Sequence, residues 1–371
     1  MQGASGMTDA PRPFIPPHCP RTDCPYHTYR SAWPWVRYGH YRRQTHPQRI
    51  QRFRCDHCRA TFSTQSFALS YYLKRPELLE PLYHRLLAGS GLRQITREAR
   101  CAHSTAMGLT ARLGRHALLA LYALRPRGPI REPLVIDGFE SFAFSQYHPL
   151  HVHLVVGAAS HFVYAFTLST LRRKGRMTEP QRRRRARIEA HHGRPDPQAL
   201  ERDMAEAIAL AAPMPQPLTV RSDEHPAYPR AFRRLPGHAI THAMTPSVLS
   251  RTPGNPLFPV NLLDLLLRHN SANHKRETIA FSKRHQAVIE RAALLILWRN
   301  YGKQFSENHG GGTPAMRLGL SRRPLAPERL LGTRWFPSRV GLPEVWQRYY
   351  RRRVLTVGIH RPREHTLRLA F

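Results

Sequence analysis

The 371 residues read as a multidomain α+β chain. Three observations predict this. Four cysteines fall in two close pairs near the N-terminus, Cys19/Cys24 and Cys55/Cys58. Residues 69–124 carry helical periodicity, and beyond a Pro/Gly break the pattern turns to short strand-like runs, two of which end in an acid. With 41% hydrophobic residues the chain can bury two or three cores.

Charge narrows the function. With 58 Lys+Arg against 24 Asp+Glu, a net +34, the expected partner is a polyanion, DNA or RNA, and a neutral small molecule is disfavoured. The sequence contains neither a run of 18 apolar residues nor a basic-then-apolar leader, so no membrane span and no secretion are expected, and a cytoplasmic, nucleoid-associated protein is. In that compartment five cysteines with two close pairs point to metal ligation over disulfides.

The elements follow in order. Residues 1–17 are Pro- and Gly-rich and are expected to form a disordered tail. Residues 18–66 hold Cys19-x4-Cys24 and Cys55-x2-Cys58, each pair able to grip one tetrahedral ion from a tight turn, with a short hairpin expected between Trp33 and Phe53; this is a zinc-ribbon signal with structural Zn2+. His18, His27 and His57 lie beside the ligands, and His27 replaces Cys24 only if the first knuckle is rearranged. Cys101 stands alone, as a small hydrophobe in a helix.

Residues 67–124 predict a helix over 76–87, a break at Gly89-Ser90-Gly91, a second helix from Leu92 to Ala99, a turn, and a third helix capped by Ser104-Thr105 and running through His116. That is a helix-turn-helix layout, which would direct Ser104, Thr105, Met107, Thr110 and Arg112 toward DNA. An ordinary helical hairpin is the duller alternative.

Arg125 to Pro129 forms a stiff linker and the best domain boundary. Strands are then expected over 134–137, 151–158 and 162–168, as an antiparallel meander. Residues 171–195 interrupt it with Arg172, Arg173, Lys174, Arg176 and the run Arg182 to Arg185. A solvated helix face would explain such a run, but like charges this dense repel until an anion neutralises them, so a phosphate-contacting insertion that includes Arg183 is the preferred reading. A helix over 197–212, a strand over 218–222, a helix over 227–235, a strand over 238–244 and two helices over 261–274 and 283–304 follow.

Asp137 closes the apolar run Pro133-Leu134-Val135-Ile136, and Asp223 closes Leu218 to Ser222. Burying an unpaired carboxylate costs several kcal/mol, roughly, and divalent cations turn that cost into binding. Two strand-end acids in so basic a chain suggest metal-dependent phosphate chemistry on nucleic acid.

Meander, helix, strand and helix, with acids at the strand ends, is the order of an RNase H-like nuclease fold, here over residues 130–305 ahead of a basic extension over 306–371. With the cysteine module and helix-turn-helix in front, residues 19–305 resemble a bacterial insertion-sequence transposase of the DDE type. The phrases that carry the resemblance are Val135-Ile136-Asp137-Gly138-Phe139-Glu140-Ser141-Phe142, Leu171 to Thr178, Asn255 to Asp264, and Thr278-Ile279-Ala280-Phe281-Ser282-Lys283. The resemblance implies Asp137 and Asp223 as the first two acids of a triad holding Mg2+ or Mn2+. The glutamate expected third falls on Asn261, seven residues before Arg268; Asp264 lies three residues on, on the same helical face, and is the expected third ligand, with Glu277 the runner-up. Glu140 and Glu224 are near enough to assist. The implied activity is strand cleavage and strand transfer at terminal repeats and target DNA by a homo-oligomer, with Arg348 to Arg353 holding phosphates. A catalytically decayed, sequence-specific DNA-binding regulator is the alternative.

Overall fold

A computed structural model describes residues 13–275 and 277–359. The tail expected over 1–17 lies outside the described residues as far as residue 12, as does the end of the basic extension from residue 360. Two sheets organise the chain. The first has three antiparallel strands, β1 (Trp35–Arg42), β2 (Arg49–Cys55) and β3 (Thr61–Ser63), in the order β1-β2-β3. Phe53 and Phe62 stack on its inner face with Trp33, and the cysteines complete this small core.

Three helices come next: α1 (Leu79–Leu87), α2 (Leu92–Glu98) and α3 (His103–Leu124). Pro81 sits in the first turn of α1, where no intrahelical donor is lost. The turn between α2 and α3 passes through Arg100 in the left-handed region, φ 44°. Helix α3 begins at the N-cap Ala102 and runs eight residues beyond His116, because its C-terminal half is buried almost all round.

The second sheet holds β4 (Leu134–Phe142), β5 (Pro149–Gly157), β6 (Val163–Thr170), β7 (Leu218–Ser222) and β8 (Ile240–Met244), in the order β6-β5-β4-β7-β8. β4, β5 and β6 form an antiparallel meander, and β7 and β8 add parallel strands beyond β4. The 171–195 segment folds as α4 (Glu179–His192), which buries no residue, and α5 (Ala199–Ala211) follows it. Helix α6 (Ala227–Phe232) crosses between β7 and β8. Leu134, Ile136 and Val220 face α5 and α6 on one side of the sheet. On the other side Val135, Phe139 and Val152 pack in one core with α3, α7 (Phe258–Asn270) and α8 (His285–Tyr301). The linker at 125–129 thus joins two segments that share this core.

The reason is the crossing of α3 and α8. A Cβ at Gly114 would lie 2.5 Å from Glu290 Cβ, so only glycine lets the two backbones approach this closely. Four short helices close the described chain, α9 (Pro314–Arg317), α10 (Pro327–Gly332), α11 (Pro337–Val340) and α12 (Glu344–Tyr350), and they pack back on the body: Trp346 Nε1 donates to Phe166 O at 3.0 Å, and Phe336 enters the cysteine core.

Candidate metal and nucleic-acid sites

At the N-terminal end, the knuckle at Cys19 and Cys24 meets the β2 end at Cys55 and the following turn at Cys58. The four sulfurs lie within 4.8 Å of one another, with Cys19 Sγ and Cys58 Sγ 3.6 Å apart and Cys24 Sγ and Cys55 Sγ 4.0 Å apart. A tetrahedron with Zn–S bonds of about 2.3 Å has S···S edges of about 3.8 Å, so this donor set fits a zinc ion. His27 is not a ligand in this arrangement. Its Nδ1 meets Cys19 O at 2.8 Å and its Nε2 meets Ser338 Oγ at 2.7 Å, so it ties the module to the C-terminal segment. The involvement of residues 336–339 had no local signal in the sequence.

The strand-end acids are gathered by the second sheet. Leu134 pairs with Val220 and Val135 with Arg221 in parallel register, and continuing that register two residues sets Asp223 beside Asp137. Side chains alternate along a strand, so Asp137 shares the face of Val135 and Phe139, the face against which α7 packs. Helix α7 buries Val260, Leu263 and Leu267, and Asp264 lies next to that stripe, half-buried.

Electrostatics tie the three acids together. Burial first, and then the charge of Asp223, hold the Asp137 carboxyl above the ordinary aspartate range, against the Gly138 amide that donates to it at 2.7 Å. Burial and then Asp137 push Asp264 well above that range, with Arg268 and Arg251 pulling it back. Tyr228 Oη donates to Asp137 Oδ1 at 3.2 Å, and its hydroxyl is pushed up by burial and by all three acids. Asp264 Oδ1 is buried with no hydrogen-bond partner. A buried carboxylate oxygen without a donor, beside a second raised carboxyl, is the donor set a hard divalent cation takes. The three acids do not converge as tightly as the thiols: among the described residues, the cysteines are the one group of metal-type ligands gathered within 4.8 Å.

Of the neighbouring acids, Glu277, Glu140 and Glu224 are all exposed, and Glu224 Oε2 accepts from the Ser247 amide at 3.1 Å. Asn261 is half-buried on α7.

Beside the acids opens a cleft of about 930 Å³. Its walls include His225, two residues past Asp223, Arg268, one turn past Asp264, and Arg172, Arg173 and Lys174. His151 stands across from Glu140 on β5, and a Cβ at Gly138 would lie 2.7 Å from its Nδ1, which is why the residue after Asp137 carries no side chain. Burial, then His225 and Lys174, lower the His151 pKa to about 4.

The basic insertion is partly self-paired. Arg172 makes a bidentate contact with Glu189 at 2.8 and 2.9 Å, and Arg182 and Arg183 both reach Glu179. Ten Lys/Arg against two glutamates over 171–195 still leave most of the charge uncompensated. In the C-terminal run expected to hold phosphates, Arg352 instead faces inward, 2.9 Å from the buried Glu290, and Arg348 lies 4.0 Å from Glu206. Arg352 is a core counter-ion because α8 brings Glu290 under it.

The helix-turn-helix face also differs from expectation at two residues. Ser104 and Met107 are exposed and Thr105 is half-buried, but Thr110 is buried and its hydroxyl donates to Ala106 O at 2.8 Å. Arg112 turns inward, its Nη1 donating to Leu69 O and Tyr71 O, each at 2.8 Å. The outward face at the start of α3 is His103, Ser104, Met107 and Gly108, flanked by Arg93 and Arg97 of α2. Thr110 and Arg112 left that face because α1 and residues 69–71 cover the next turn of the helix.

No helix among the described residues is long and apolar enough to cross a membrane. No protein-family model and no curated protein matches this chain. Among solved structures, one that matches is the cryo-EM structure of the simian T-cell lymphotropic virus intasome in complex with PP2A regulatory subunit B56 gamma. It is 17% identical, covers 67% of this chain and 76% of that chain, and has a TM-score of 0.25. A likeness that slight carries no argument about this chain.

Proposed function

We propose that this protein is a DNA transposase of the DDE type, cutting and joining strands at the ends of an insertion sequence through Asp137, Asp223 and Asp264. The observation that carries the reading is geometric: the parallel register of β4 and β7 sets Asp223 beside Asp137, whose carboxylate accepts from Tyr228, and a cleft lined by Arg172, Arg173, Lys174 and Arg268 opens beside them. The strand order β6-β5-β4-β7-β8, with the first acid in the central strand and the second just past its parallel neighbour, agrees with an RNase H-like nuclease. The resemblance of residues 19–305 to insertion-sequence transposases supplies the rest.

In this reading Asp137, Asp223 and Asp264 hold Mg2+ or Mn2+. Bound there, the ions supply Lewis acidity toward the scissile phosphate and toward the attacking water or DNA 3′-hydroxyl. Tyr228 fixes the Asp137 carboxylate through its hydroxyl. Arg172, Arg173 and Lys174 seat the duplex backbone by charge, and Arg268 stands behind Asp264 as a counter-ion. Ser104 and Thr105, with Met107, would read terminal repeats from the major groove, and the zinc-bound module would add affinity beside them. Cutting two ends in one event calls for at least two copies of the chain.

The competing regulator has the same DNA-reading parts and a dead acid cluster; the asparagine at position 261 is the one observation that favours it. A strand-transfer assay with Mg2+, on a DNA fragment carrying the flanking terminal repeats, separates them. Joined products are expected; binding without cleavage in either Mg2+ or Mn2+ would establish the regulator.

A further inference from the structure

A second groove, of about 490 Å³, lies on the cysteine module, where β2 and β3 meet the segment that leads into α1. Tyr41, Arg43, Arg52, Gln65, Tyr71 and Tyr72 line it. The function proposed above makes no use of it.

Its construction is unusual for a loop. Tyr72 has φ 58°, a left-handed conformation that is costly for a bulky residue, and the residue is 65% exposed. The strain is held by the residues behind it. Arg112 donates to the carbonyls of Leu69 and Tyr71, Arg334 covers the Tyr71 ring at 4.7 Å, and the Arg334 amide donates to Phe67 O at 2.9 Å. Two arginines from distant parts of the chain thus fix a strained turn whose product is one exposed aromatic ring against Tyr71, 4.6 Å between centroids. Opposite, Gln65 Oε1 and Pro47 O hold Arg43 at 3.0 and 2.9 Å, and Arg52 stands over the Tyr38 ring. The module that carries the groove has nine arginines against two aspartates over residues 18–66.

Exposed rings, fixed cations and an amide are the elements that recognise nucleotides: the ring stacks on a base and the cations meet phosphate. The ring selects the form. Stacking needs an open base face, which an unpaired strand offers and a duplex, with its bases paired and stacked, does not. We propose that this groove binds unpaired DNA, with a base stacked on Tyr72 and its phosphates against Arg43 and Arg52. The inference does not rest on the acids cutting DNA, because binding alone reads it.

The test is fluorescence anisotropy on the full chain without Mg2+. The probes are a labelled thymidine oligonucleotide of about 12 nucleotides, within the span such sites cover, and the same strand annealed to its deoxyadenosine complement. Tyr72→Asn removes the ring and suits the left-handed backbone; Tyr72→Phe keeps the stacking face. Stacking on one ring is worth roughly 5- to 150-fold in affinity. The expected result is a loss of that size for the single strand with Tyr72→Asn, duplex binding within about 2-fold of the unaltered protein, and single-strand binding kept by Tyr72→Phe. Equal losses on both probes, no loss on either, or a Tyr72→Phe protein as weak as Tyr72→Asn would overturn the proposal.

Discussion

Asp264 is the residue on which the account depends, and its stability signature is separate from catalysis. Its folded-state pKa lies above the ordinary 3.8, so the ionised form disfavours folding. The penalty is absent below the unfolded value and grows as pH rises through the folded one. Without added Mg2+, Asp264→Asn keeps the side chain's shape and removes its buried charge, so it is expected to be more stable than the unaltered protein at neutral pH by about 1 kcal/mol or more. The gain should shrink as pH falls toward 3.8, and urea midpoints across that range check it. A midpoint difference that does not change with pH would remove the strained carboxylate from the account. Arg112 makes a second residue-scale prediction. Its guanidinium holds two carbonyls, so Arg112→Ala should cost about 1–3 kcal/mol of stability and weaken specific and random duplexes alike. Selective loss on terminal-repeat DNA would return it to the reading face. The sequence marked Asp137 and Asp223 because an acid closing an apolar strand is a local anomaly. It could not mark Arg112 correctly, since the phase of α3 is set by residues 69–71 and by α8, which no window around position 112 contains.

At the scale of elements, local spacing was readable and distant packing was not. The two cysteine pairs sit at turn-forming intervals, and the β1–β2 hairpin between them, which pairs Trp35 with Cys55, brings them together. One zinc per chain is expected by elemental analysis of the reduced protein. Cys55→Ser should lose the ion and unfold residues 18–66, because removing one ligand opens a closed tetrahedral site. Zinc-free protein with the module's near-ultraviolet signal intact would contradict this. Helix α3, by contrast, shares a core with α8, a helix more than 160 residues later, and Gly114 is where they touch. Overpacking that contact with Gly114→Ala should cost about 1–3 kcal/mol, although alanine is the better helix former, and denaturant midpoints will show it. The five strands of the second sheet were legible from their short apolar runs and the turn residues between them; the length of β4 beyond Asp137 was not, because Gly138 and Glu140 break the apolar run for the sake of the His151 contact and the cleft.

The whole molecule is governed by its +34 charge, which predicts a partner more securely than it predicts a reaction. DNA affinity should fall steeply with salt, and Arg183→Ala should lower the slope by about 1 and weaken all sequences alike. What the charge cannot say is whether the acids do chemistry, and the measurement that decides it compares single with combined substitutions in terminal-repeat cleavage. If Asp137, Asp223 and Asp264 act as one unit, Asp→Asn at any one abolishes cleavage as fully as all three together, while terminal-repeat binding stays nearly intact and Glu277→Gln retains most activity. Normal cleavage by Asp264→Asn, with Glu277→Gln dead, would contradict the account.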